Sequence, residues 1–342
     1  MSSKPHDPSR FVFLLSAALL LTSSAGAATT YTFQTLNNPG DPNFNQLLGI
    51  NNAGTIGGYF GDGSVIPNNG YTLKPPAGYA AENFPGSVQT QVVAINNAAT
   101  PVTGGFYIDG AGNNIGFVKI GNSFTSVSDP STPTTGVTTN QILGLNDNNQ
   151  AVGFYVDAAG NAHGFLYNTL TKSFTPINLP GSFNAVSVTA AGINNAGQID
   201  GFYTDSGGAT HAFIENGINF TSIDDPSVGA TNTMFFGLNN DGSAVGTFTD
   251  GSGVSEGVVY DFLTKTFESV NDPNNSPNAA FNVTGTLING INDQGDLVGF
   301  YSDGTNVDGF EATPVPEPAA LSLMGLGAVA AGLISRRKSR KS

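Results

Sequence analysis

A four-residue signature, Gly-(Ile/Leu)-Asn-(Asn/Asp), returns along the chain at repeat spacing, and no other feature limits the fold as much. It stands at Gly49-Ile50-Asn51-Asn52, Gly144-Leu145-Asn146-Asp147, Gly192-Ile193-Asn194-Asn195, Gly237-Leu238-Asn239-Asn240 and Gly290-Ile291-Asn292-Asp293. A sixth copy, Ala94-Ile95-Asn96-Asn97, carries Ala in place of Gly. In chain order the copies lie 45, 50, 48, 45 and 53 residues apart.

Three further elements follow each copy. The second is Gly-aromatic-aromatic, as in Gly153-Phe154-Tyr155, Gly201-Phe202-Tyr203 and Gly299-Phe300-Tyr301, and more loosely Gly246-Thr247-Phe248. An Asp comes next in every repeat: Asp62, Asp109, Asp157, Asp205, Asp250 and Asp303. The third element pairs a small residue with an aromatic, as in Gly116-Phe117, Gly164-Phe165, Ala212-Phe213 and Gly309-Phe310. The fourth runs from an aromatic through an aliphatic to Pro: Phe124 to Pro130, Phe174 to Pro180, Phe220 to Pro226 and Phe267 to Pro273. Tyr79 to Pro85 fits too, with Glu82 in the aliphatic place.

Each element is a short run of apolar alternation bounded by Gly, Asn, Asp or Pro, the pattern of a strand between tight turns. No stretch between the two ends shows capped helical periodicity. The last repeat stops after Gly309-Phe310 without its fourth element. The chain instead opens with that element, Phe33-Gln34-Thr35-Leu36-Asn37-Asn38-Pro39. A ring needs such an offset to join its ends. The spacing therefore predicts an all-β, six-bladed β-propeller over residues 28–313, with four-stranded blades and an N-terminal strand closing the last one. A right-handed β-solenoid is the alternative, although no capping segment stands out.

Charge narrows the function. Of 342 residues only 11% are charged, and Cys is absent, which removes disulfide scaffolds and thiolate metal sites. The repeat region holds four lysines, no arginine and 23 carboxylates. Such an acidic body gains nothing from counterion release, so nucleic acid is not an expected partner. Without Arg, a sialidase-type guanidinium clamp is excluded as well.

The two ends read as sorting signals. Residues 1–27 combine Lys4 and Arg10, an apolar run from Phe11 to Leu21 and the small triplet Ala25-Gly26-Ala27: a signal helix cut by signal peptidase near Ala27. Residues 314–342 present Val315-Pro316-Glu317-Pro318, an apolar stretch Ala319–Ile334 long enough for a short transmembrane helix, and the basic residues Arg336, Arg337, Lys338, Arg340 and Lys341. In order and composition this segment resembles the PEP-CTERM sorting signal of Gram-negative bacteria. That resemblance implies transient anchoring in the inner membrane with the body in the periplasm. Cleavage by exosortase near Pro316-Glu317-Pro318 and delivery to the cell surface or extracellular matrix would follow. Gly192-Ile193-Asn194-Asn195-Ala196-Gly197-Gln198 and His211-Ala212-Phe213, with His163-Gly164-Phe165 a weaker copy, resemble the HAF extracellular repeat, which implies an exported β repeat protein and names no reaction.

No catalytic, cofactor-binding or metal-binding residue stands out. His163 and His211 occupy the same place in neighbouring repeats and read as strand or turn variation, with no recurring carboxylate beside them to suggest a metal. Gly253-Val254-Ser255-Glu256-Gly257 has the spacing of a hydrolase elbow but aligns with a hairpin. The repeat Asp residues either accept turn amides or, in the less favoured reading, hold Ca²⁺. The expectation is a non-enzymatic structural or glycan-binding module that stacks its polymer on exposed loop aromatics. A polysaccharide hydrolase or lyase with paired carboxylates around a central channel, and a calcium-dependent adhesin, are the alternatives.

Overall fold

The computed structural model describes residues 29–276, 283 and 285–315. The expected signal helix with Ala25 and Ala27 lies outside the described residues. So do the expected C-terminal helix, Pro316, Glu317, Pro318, Arg336 and Arg337. Among the described residues no helix is long and apolar enough to cross a membrane.

The repeats fold into six antiparallel four-stranded sheets arranged as the blades of a propeller. Blade one spans residues 45–81, blade two 89–127, blade three 140–176, blade four 185–223 and blade five 231–269. Blade six takes three strands from 286–314, and its outermost strand is Tyr31–Thr35. That strand pairs with Val307–Pro314, from Tyr31 opposite Pro314 to Thr35 opposite Phe310. Leu36 N then donates to Gly309 O at 2.8 Å, and Phe33 packs its ring 5.5 Å from that of Phe310. The ring is closed by hydrogen bonds between its two ends, so the solenoid is excluded. The six sheets thus form one closed ring whose two chain ends, Tyr31–Thr35 and Val307–Pro314, meet in blade six.

Each repeat element has its structural reason. The aromatic of the third element is the centre of its blade: Tyr71, Phe117, Phe165, Phe213 and Phe310 are all at most 1% exposed. The aliphatic of the fourth element is buried against the next blade, as Val127 against Ile142. Every first strand, which lines the axis, carries a bulge two residues before the signature Ile or Leu, for instance between Ile142 and Gly144. The bulge pushes the first strand's carbonyl against the second strand. A Cβ on Gly153 would stand 1.9 Å from Gln141 O, so the Gly of Gly-aromatic-aromatic has no substitute.

Candidate functional site

The signature Asn residues build the narrow end of the axial channel. Asn51 Nδ2 donates to Asn96 O, Asn96 to Asn146 O, Asn146 to Asn194 O, Asn194 to Asn239 O, Asn239 to Asn292 O and Asn292 back to Asn51 O, at 3.0–3.4 Å. The same side chains turn their oxygens inward on their own loops: Asn194 Oδ1 accepts from Ala196 N and Gln198 N. A second closed ring lies beside the first, built from the next residue. Asn52 N donates to Asn97 Oδ1, and so on through Asp147, Asn195, Asn240 and Asp293 to Asn52 again, at 2.6–2.9 Å. Sequence reasoning assigned these Asn residues to turns and missed the bonds between blades. Their amide donors, which Asp lacks, were the available sign.

The repeat Asp residues sit at the other hairpin of each blade. Asp157 Oδ1 accepts from Ala159 N and Asn161 N, and Asp205 Oδ1 from Gly207 N and Ala209 N, at 2.8–2.9 Å. Asp62, Asp109, Asp250 and Asp303 do the same, which is the turn-amide reading. Bonds from Ser64 N and Ile66 N hold the Asp62 carboxyl down to about 2. Among the described residues no three His, Asp or Glu side chains gather as a metal site.

Both histidines do have carboxylate partners, contrary to the sequence expectation. The repeat Asp supplies one, because the hairpin folds it back over the third strand. His163 Nε2 donates to Asp157 Oδ2 at 2.8 Å, and its ring stacks on Tyr155 with centroids 5.0 Å apart. This bond to His163, followed by the amide of Asn161, holds the Asp157 carboxyl below the usual range. His211 stacks on Tyr203 at 5.1 Å; its Nδ1 lies 2.8 Å from Asp224 Oδ1, and its Nε2 3.7 Å from Asp205 Oδ2. A Tyr–His stack braced by an acid thus recurs in blades three and four.

His163 with Tyr155 edges one cleft between blades, and His211 edges another. At four junctions the amide before the blade-ending Pro is fixed by a side chain of the next blade: Asn38 N on Asn45, Phe84 N on Thr90, Asp225 N on Thr233 and Asp272 N on Thr286. At the junction of blades three and four, Val188 stands in that place and offers no acceptor. The connection forms a short 3-10 turn, Gly181–Phe183, and a cavity of 570 Å³ opens beside His163, Tyr155, Asn178, Asn184 and Val186. A second cleft of 410 Å³ lies beside His211 at the junction of blades four and five, edged by Asp224, Thr231 and Asn232.

The axial channel widens away from the Asn rings into a chamber of 340 Å³ walled by Phe106, Phe154, Phe202 and Phe236, with no carboxylate among its lining residues. The paired acids expected of a channel hydrolase are not among the described residues that line this chamber. Asp147 and Asp293, on opposite blades of the second ring, are both tied to ring amides. Loop aromatics do not meet expectation either: among the described residues every Phe and Tyr is buried or half-buried. Gly253-Val254-Ser255-Glu256-Gly257 is a hairpin, with Gly253 at φ 86° before a strand that begins at Ser255.

Fold and clefts define a six-bladed propeller, and comparison with solved structures agrees. A TolB protein of Agrobacterium tumefaciens superposes with TM-score 0.53 at 9% identity, covering 85% of this chain and 100% of that one. The SapL1 lectin, solved with α-methyl fucoside, has TM-score 0.49 at 13% identity over 80% of this chain and 92% of its own. The Aleuria aurantia lectin, described as a six-bladed β-propeller, has TM-score 0.43 at 10% identity over 83% and 91%. At these identities the likeness is one of fold alone. No curated protein matches the chain. The PEP-CTERM protein-sorting motif matches residues 314–340, and it implies an exported protein sorted by exosortase.

Proposed function

We propose that this exported propeller is a non-enzymatic binding module for a neutral glycan, retained at the cell surface or in the extracellular matrix after exosortase cleavage near Pro316-Glu317-Pro318. The HAF-like stretches around His163 and His211 belong to the same reading. What carries it is the Tyr155–His163 stack at the edge of the 570 Å³ cleft, braced by Asp157 and repeated as Tyr203–His211 one blade on. A half-buried aromatic pair offers the apolar face of a sugar a surface, while Asn178, Asn184 and the ring nitrogens supply directional polar groups. Four lysines against 23 carboxylates make an acidic polymer a poor partner, hence a neutral one. Two histidine-edged clefts at adjacent junctions suit a repeating chain, since a second contact strengthens the first.

The test is a glycan array followed by calorimetry on residues 29–315. A neutral oligosaccharide binds, no reducing ends appear on incubation, and His163→Ala weakens binding about tenfold, a loss of about 1.4 kcal/mol. Binding indifferent to His163→Ala and to His211→Ala together, or release of reducing ends, overturns the proposal.

A further inference from the structure

The axial chamber lies apart from the two clefts, and its construction is specified by the repeats themselves. In each blade the bulge leaves one residue of the first strand without a cross-strand partner: Leu48, Val93, Leu143, Ala191, Phe236 and Asn289. All six line the chamber. Above them stand Phe106, Phe154 and Phe202, the first aromatics of their Gly-aromatic-aromatic elements, with Phe202 edge-on to Phe236 at 6.0 Å. Below, the channel narrows to the signature glycines, where a Cβ on Gly192 would stand 2.8 Å from the Cα of Gly237, and the Asn rings lie at that end.

Three observations define what the chamber takes. It contains no charged side chain, in a body otherwise rich in carboxylates. Its 340 Å³ falls within the roughly 300–1,000 Å³ of small-molecule pockets. Five of the six bulge residues are apolar, and the sixth, Asn289, has its Oδ1 closed off from the chamber. We propose that the axial chamber is a second binding site, for an uncharged aromatic or otherwise apolar small molecule.

N-Phenyl-1-naphthylamine, uncharged and aromatic, is the probe, titrated calorimetrically into residues 29–315. It binds one to one and saturably. The anionic 8-anilinonaphthalene-1-sulfonate, of the same shape, binds about tenfold more weakly because its sulfonate must leave water. Leu143→Trp, which fills the chamber from a bulge position, weakens the probe about tenfold or more, and Gln141→Trp fills it from the wider end if the first variant does not fold. Non-saturable binding, equal affinity for the anion, or affinity unchanged in a folded filling variant overturns the proposal.

Discussion

The two Asx positions of each repeat show how one atom decides a residue. Asn194 and Asp205 both accept two turn amides through Oδ1. Asn194 also donates through Nδ2, to Asn239 O at 3.1 Å in the next blade and to Gln198 Oε1 at 2.8 Å. Asp205, on the open rim, has no need of a donor. Asn194→Asp therefore sets a carboxylate against two acceptors in a buried place, and is expected to cost about 3 kcal/mol or more in urea unfolding. Asp205→Asn keeps its acceptor and is expected to cost less than about 1 kcal/mol. Equal midpoints for the two variants would refute the distinction.

Within a blade, Glu82 breaks the repeat where Val127, Ile177, Ile223 and Val270 keep it. The structure supplies its partners from blade two: Lys119 Nζ at 2.8 Å and Thr103 Oγ1 at 2.8 Å. Lys119→Met leaves a buried carboxylate unpaired and is expected to lose about 3–5 kcal/mol. Adding Glu82→Val restores the apolar pattern and is expected to recover most of that loss; a double variant as unstable as the single one would contradict this. The closing strand makes a sharper case. Deleting residues 29–36 strips the edge from Val307–Pro314, and the thermal transition is expected to fall steeply or lose cooperativity; an unchanged transition would mean that closure contributes little. Such elements explain what was legible beforehand. Strand, turn and ring order all follow from residues repeated at fixed offsets, so six copies reinforced one reading. The larger cleft was hidden because it arises where a repeat departs, at Val188, and because Asp157 reaches His163 only once its hairpin has folded. The bonds between blades join residues 45–53 apart, a distance at which pattern alone names no partner.

Across the whole molecule two sets of carboxylates pull stability in opposite directions with pH. The rim acids Asp62, Asp109, Asp157, Asp205, Asp250 and Asp303 are held below their ordinary values, chiefly by turn amides and, for Asp157 and Asp109, by side-chain bonds to His163 and Asn113. What they contribute is complete above about pH 4 and is lost as pH falls towards 2. Asp200 acts in the other sense. It occupies in blade four the place of Val152, Val245 and Val298, wholly buried, and burial, opposed only by the nearby Gly192 amide, pushes its carboxyl up to about 8. Below about pH 4 it is neutral both folded and unfolded and costs nothing of this kind. From there to about 8 the unfolded chain ionises while the fold does not, which removes about 1.4 kcal/mol per pH unit. Burial raises Asp272, Asp308 and Glu311 as well, which adds to the decline. Stability is therefore expected to peak near pH 4–5, on the acid side of neutrality, in melting curves taken from pH 2.5 to 8.5. Asp200→Val should flatten the alkaline side and stabilise the fold at pH 7 by about 2–4 kcal/mol. A maximum at or above pH 7 in the unaltered chain, or an Asp200→Val curve parallel to it, would show that this carboxyl does not govern the balance.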